Sequence, residues 1–322
     1  MSSSSKGQVL GVWWTKKVVL NHNPAPAEAP AEVSASDLAR RLRLCMLKLK
    51  GSFMTPDGSG VDYKSLKASE VFADYVKMTA ALRNTNLSDL DQASRKGFLI
   101  NIYNCLCIHA LAEGLLGSFP GGSLSRLKLY ASSSYNIGGQ VYSLNDIENG
   151  VLRGNKPSAA PWAKVPFASS KDAKGKGEDD PRLGVVLDTC DPRIHFALNC
   201  GANSCPPIGV YDVDNPEKLD SQLHLASKGF LSSAANVQLD AATGIAKLSM
   251  LFKWYKSDFG ATDMDIVRFV GANGDEKTKA RVDAFLAAVA GDGDGDGKGG
   301  VAPTLTVQWI EYDWGLNSSS KK

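Results

Sequence analysis

The sequence predicts an α+β fold in which a buried central helix packs on a small, mainly antiparallel sheet. The first observation is FLINIYNCLCIHAL at 98–111, apolar nearly all round. Such a helix belongs inside a fold, because a surface helix keeps a polar face. The second is strand-like alternation, with Ile194, Phe196 and Leu198 set against His195, Ala197 and Asn199, and again over residues 304–312. The third is a series of capped amphipathic segments that would surround both.

In chain order, residues 1–33 include NPAPAEAPAEV, which buries too little apolar surface to offset chain entropy, so a disordered tail is expected. A helical lead-in follows over 34–90. Ser36 caps a helix with Leu38, Leu42, Cys45, Met46 and Leu49 on one face and Gly51 as its stop. After a Pro-Asp-Gly-Ser-Gly turn, a second helix carries Phe72, Tyr75, Val76, Thr79 and Leu82. Ser88 and Asp91, at capping-box spacing, open the central helix over about 89–114.

Residues 91–317 read as one domain. Tyr135 to Leu144 form a hairpin around Gly138-Gly139, and Ser143 with Asp146 caps a helix that turns Leu144, Ile147, Val151 and Leu152 inward. Residues 154–182 form an irregular insertion, 215–235 a helix, and VQLDAATGIAKLS a hairpin. MLFKWYKSDFG and two short helices reaching Ala290 follow. In GDGDGDGKGG at 291–300, Asp292, Asp294, Asp296 and Gly297 match the start of a calcium loop. Pro303 stands where its bidentate glutamate belongs, so the run reads as a solvated loop.

The chain has 322 residues, 43% of them hydrophobic, enough to bury a sizeable core. Its 36 basic and 34 acidic residues leave a charge of +2 and no long basic stripe, so nucleic acid is not an expected partner. No run reaches the about 18 apolar residues that span a bilayer, and the first residues lack a signal-peptide core. A soluble, cytoplasmic protein without membrane contact is expected. Six cysteines in so long a chain do not resemble a secreted disulfide framework, and reduced thiols are the default.

The densest chemistry lies in DPRIHFALNCGANSCPP at 191–207. His195 points off the apolar face of its segment, and the Gly201–Ser204 turn brings Cys200 and Cys205 together near it. A neighbouring imidazolium lowers a thiol pKa, so Cys205 or Cys200 with His195 can make a nucleophile. The alternative is a hydrogen-bonded core histidine beside two small hydrophobes. His109, His195, Cys200 and Cys205 are zinc-type ligands, but their spacing is not that of a finger or ribbon, and no metal or cofactor is assigned. A disulfide between Cys200 and Cys205 is sterically open across the turn. Cys105 and Cys107 fall on different helix faces and read as packing. Arg193 with Asp191 can hold an anion or simply pair. Asn101, Tyr103, Asn104 and His109 load the greasy central helix with polar groups that need partners.

Together, FLINIYNCLCIHAL, YNIGGQVYSLNDIENGVLRGN, DPRIHFALNCGANSCPPIGVY, LSMLFKWYKSDFG and IEYDWGLN resemble the domain of unknown function 547 family in order and spacing, over about residues 95–317. Departures from the family pattern are Leu99, Cys105, Cys107 and Gly315. The resemblance implies a place where polar residues gather, and no established activity. Members join the domain to other modules, such as a plant leucine zipper, which suggests a scaffold or binding role with an unidentified protein or small-molecule partner.

The order of buried helix, His-bearing strand and later acidic group is also similar to that of papain-like and transglutaminase-like enzymes, with Asn101 in the nucleophile's place. The expectation is therefore a ligand- or peptide-binding domain with a His/Cys/Asn cleft, its alternative a cysteine-dependent hydrolase or acyl transferase. Asn101, Tyr103, Asn104, His109, Arg193, His195, Cys200 and Cys205 should cluster, with Asn104 and Tyr103 orienting His195.

Overall fold

The computed structural model of the chain describes residues 16–22, 34–118, 123–159, 163–170, 178–291 and 303–319. The Pro/Ala-rich run and the Gly/Asp loop from Asp292 onward lie outside the described residues. Among the described residues, ten α-helices and six strands are built as follows.

The lead-in is α1 (Ala35–Phe53), α2 (Tyr63–Lys67) and α3 (Glu70–Thr79). Ser34, not Ser36, caps α1 by accepting from the Asp37 amide, and the helix runs through Gly51 because Leu38, Leu42, Met46 and Leu49 bury one continuous face. The central helix is α4 (Gln92–Ala112), capped by Asp91, whose Oδ1 accepts from the Ser94 amide at 2.7 Å. Ser88 is not the cap. Every residue from Gly97 to Ala112 is buried, which is how a helix apolar all round must sit.

After α5 (Ser123–Ser132), β2 (Ser133–Ile137) and β3 (Gln140–Ser143) form the expected hairpin with Tyr135 opposite Tyr142. Gly138 and Gly139 both have positive φ, 59° and 82°, as its tight turn requires. Within the span read as a tail, β1 (Val18–Val19) adds parallel to β2. The Ser143–Asp146 capping box forms, yet the segment it opens, Asp146–Leu152, is a π-helix. Amides at Arg153 and Asn155 donate five residues back, to Glu148 and Gly150.

The remaining helices are α6 (Pro216–Leu231), α7 (Met250–Trp254), α8 (Lys256–Phe259), α9 (Asp263–Asn273) and α10 (Glu276–Ala290). β4 (Val237–Asp240), β5 (Ile245–Ser249) and β6 (Thr306–Ile310) form a second three-stranded sheet. β4 and β5 are the expected hairpin, whereas β6 joins β5 in parallel, so each sheet is mixed rather than antiparallel throughout. The α+β class stands.

Residues 193–199 belong to neither sheet. Pro192–Phe196 is a 3₁₀ turn: Asp191 caps it through the Arg193 amide, Pro192 pre-sets φ, and the Ile194 and Ala197 amides donate to Asp191 and Ile194 carbonyls. One buried cluster surrounds α4 and the lead-in; a second joins Phe196 to α7–α10 and the second sheet. Among the described residues no helix is long and apolar enough to cross a membrane.

Candidate functional site

Asn101 and Asn104 sit on one face of α4 and act as backbone clamps. Asn101 Nδ2 donates to the Tyr211 carbonyl at 2.8 Å, and its Oδ1 accepts from the Tyr211 amide at 2.9 Å. Asn104 does the same one turn on, donating to Ala197 O at 3.0 Å and accepting from Asn199 N at 2.9 Å. Each buried amide thus replaces the neighbouring strand that its loop lacks. Asn104→Leu strands two buried backbone groups, and a loss of roughly 2–4 kcal/mol is expected in urea unfolding.

The loop held by Asn104 carries the two cysteines. Cys200 and Cys205 are joined as a disulfide, so the reduced state expected for this pair gives way to a covalent one. Gly201, with φ +77°, lies where a Cβ would collide with Leu111. Arg126, 2% exposed, grips the Cys200, Gly201 and Trp314 carbonyls at 2.9, 3.2 and 2.9 Å. Tyr312 Oη lies 3.4 Å from Cys200 Sγ and 3.2 Å from Cys205 Sγ, and since the paired sulfurs carry no proton the hydroxyl donates.

Both cysteines line a cavity of about 610 Å³, within the range of small-ligand sites. Its walls come from distant segments: Tyr103 on α4, Asp146 and Glu148 on the π-helix, His195 on the 3₁₀ turn, Trp254 and Tyr255 around α7, and Tyr312 and Trp314 near the C-terminal end. Trp254, Tyr312 and Trp314 pack ring on ring, with centroids 4.6–5.2 Å apart.

His195 is not oriented by Asn104 or Tyr103. Its Nε2 lies 2.9 Å from Asp258 Oδ2, and its ring stacks on Tyr255 with centroids 3.9 Å apart. Burial lowers its pKa against the pull of Asp258 and Glu148, so the ring is neutral, donates from Nε2 and keeps Nδ1 as its basic nitrogen. Asp258 also receives Arg153 Nε at 2.5 Å and Lys156 Nζ at 2.8 Å. Burial alone would raise this carboxyl; the hydrogen bonds from His195 and Arg153 outweigh it and hold the group well below the usual carboxylate range.

Tyr103 instead serves Glu148. Its hydroxyl donates to Glu148 Oε2 at 3.0 Å, and Tyr255 donates to Oε1 at 2.5 Å. Burial raises both tyrosines well above their ordinary values, so they remain donors. Asp146, by contrast, is neutralised by Lys17 at 2.7 Å and Arg182 at 3.5 Å. Among the described residues, no Lys, Arg or His nitrogen lies within 4.0 Å of the Glu148 carboxylate, which leaves it without a direct ion pair, Arg153 acting on it only at longer range.

His109 and Arg193 stand elsewhere. His109 Nδ1 meets Tyr135 Oη at 2.8 Å, with Phe72 edge-on. Arg193 chelates Asp191 at 2.9 Å and reaches Asp220 at 2.7 Å, so both of its partners are carboxylates. The zinc-type set is therefore not brought together. A different trio, Cys190, His195 and Asp258, has donor atoms within 4.8 Å of one another. It fits a cation poorly: Asp258 already carries Arg153 and Lys156, His195 Nε2 is spent on it, and burial pushes the Cys190 thiol up to about 12.

Residues 87–231 match the family model described as protein of unknown function, DUF547. The chain carries a DUF547 domain. No curated protein and no solved structure matches it. The matched segment supplies Tyr103, Glu148, His195 and both cysteines, while Tyr255 and Tyr312 lie C-terminal to it and complete the cavity wall; Asp258, also C-terminal, is buried behind His195. Sequence reasoning missed Glu148, Tyr255, Asp258 and Arg126. A usable signal was present in the polar positions of YKSD within MLFKWYKSDFG, and in the acidic pair of NDIEN.

Proposed function

We propose that the protein binds a small organic ligand or a peptide side chain in this cavity. The ligand presents a hydrogen-bond donor to Glu148 and an apolar body to Trp254, Tyr312 and Trp314. The observation that carries this reading is Glu148 itself: an acceptor facing a ligand-sized space, held by two neutral hydroxyls and lacking a close cation. A partly buried carboxylate of this kind gains from a partner that enters from outside.

NMR titration with benzylamine, benzamide and toluene tests it. The donor-bearing probes should shift the Trp254 and Trp314 indole N–H signals, with toluene weaker. Glu148→Gln should weaken benzylamine by about tenfold, the loss of one charge-assisted hydrogen bond. Wild-type affinity as high for toluene as for benzylamine, or a Glu148→Gln variant that binds benzylamine as tightly as the wild type, would overturn the reading.

The thiol-dependent hydrolase or acyl transferase reading draws on His195 and Cys205 lining one cavity, with Asp258 hydrogen-bonded to His195 behind it. With Cys205 paired, the sulfur holds no nucleophilic lone thiol, so that chemistry requires prior reduction.

A further inference from the structure

We propose that Cys200 and Cys205 form a thiol–disulfide exchange site whose substrate is a low-molecular-weight thiol entering the cavity. Two features support exchange without unfolding. First, both cysteines line the cavity and neither is fully buried, so a small thiol has access to the pair. Second, the loop is fixed by bonds that do not involve the disulfide. Asn104 holds the Asn199 amide, Arg126 and Tyr130 hold the Cys200 carbonyl, Asn199 Nδ2 donates to Pro206 O at 2.7 Å, and the Asn203 amide donates to Gly315 O at 2.9 Å. The two sulfurs therefore stay neighbours when the bond opens.

The hydrogen bonds also distinguish the sulfurs. The Cys200 backbone N–H donates to Cys205 Sγ at 3.1 Å, and Tyr312 is closer to Cys205 than to Cys200. Two donors on Cys205 stabilise negative charge there, which makes it the leaving sulfur. An external thiolate attacks Cys200 Sγ; the Sγ–Sγ bond breaks and its electron pair leaves on Cys205 as thiolate. A second external thiolate attacks the outer sulfur of the mixed disulfide and expels the Cys200 thiolate. In sum, two thiols become one external disulfide while the protein disulfide becomes two thiols, with two electrons transferred and protons conserved. The site does not depend on Glu148.

The test uses the full chain with reduced glutathione under native conditions, then iodoacetamide labelling and peptide mass mapping. New label should appear at Cys200 and Cys205 while the near-ultraviolet circular dichroism keeps its folded form. Cys105, Cys107 and Cys190, pushed up to about 12 by burial, should label at least about tenfold more slowly. In Cys205→Ser, oxidised glutathione should leave a stable adduct on Cys200; in Cys200→Ser, Cys205 should be the fastest-labelling cysteine. A pair that reduces only in denaturant, or a fold lost on reduction, would overturn the proposal, and the wild-type experiment decides even if a variant fails to fold.

Discussion

Asp258→Ala is expected to lower the unfolding free energy by about 3–5 kcal/mol, the cost of stranding buried charge by removing one partner. Arg153 is 3% exposed along its side chain and Asp258 is fully buried, so water cannot replace the lost carboxylate. Remaining acceptors for Arg153 are Asn149 Oδ1 and Pro157 O, both neutral. His195 loses its Nε2 acceptor in the same step. Thermal or urea unfolding measures the effect. Arg153→Met placed on Asp258→Ala should recover part of the loss, because the uncompensated guanidinium goes with it; a double variant no more stable than the single one would show that packing rather than charge sets the cost.

The second large effect is acid destabilisation that begins above the carboxylate range. Burial lowers the His109 pKa from 6.5 to about 4. Above the unfolded value neither state binds this proton and stability is full. Below it the unfolded chain protonates while the folded one does not, so stability falls with pH through the window from 6.5 to about 4. The shift corresponds to about 3 kcal/mol when complete. His195 is lowered as well and adds in the same sense. Groups facing His109 electrostatically are Glu113, Lys67 and His22, with Tyr135 its hydrogen-bond partner. Asp191, held at about 2, loses its contribution only as pH falls below the ordinary carboxylate value, in a separate and lower window. Urea unfolding across pH should show the slope, and His109→Leu should reduce it by about one proton. An unchanged slope in that variant would contradict the assignment.

The sequence made α4 readable because an apolar run with no polar face has one place to go, and it made both hairpins readable because turn chemistry and alternation agree. It misled at Ile194, Phe196 and Leu198, whose alternation is strand-like. Asp191 and Pro192 start a tight turn there, and the neighbour that a strand would need is supplied by the Asn104 side chain. The same ambiguity spread to the site. His195, Tyr103, Cys200 and Cys205 do converge on one cavity, because the loop geometry that the turn residues imply is real. Asn101, Asn104, His109 and Arg193 are polar for structural reasons, two as backbone clamps, one as a hydrogen-bonded core imidazole and one as an ion-pair partner. Glu148 and Asp258 stand in segments whose polar positions were visible, but their roles depend on which rings and cations face them, a matter of tertiary pairing that the local pattern does not encode.

The convergence of these segments is tested most directly by nuclear Overhauser contacts in the folded protein. The account predicts cross-peaks from the His195 ring to the Tyr255 ring and from the Tyr312 ring to the Cys205 β protons. Their absence, with the His195 ring instead contacting protons of the Asn101 or His109 side chains, would contradict it.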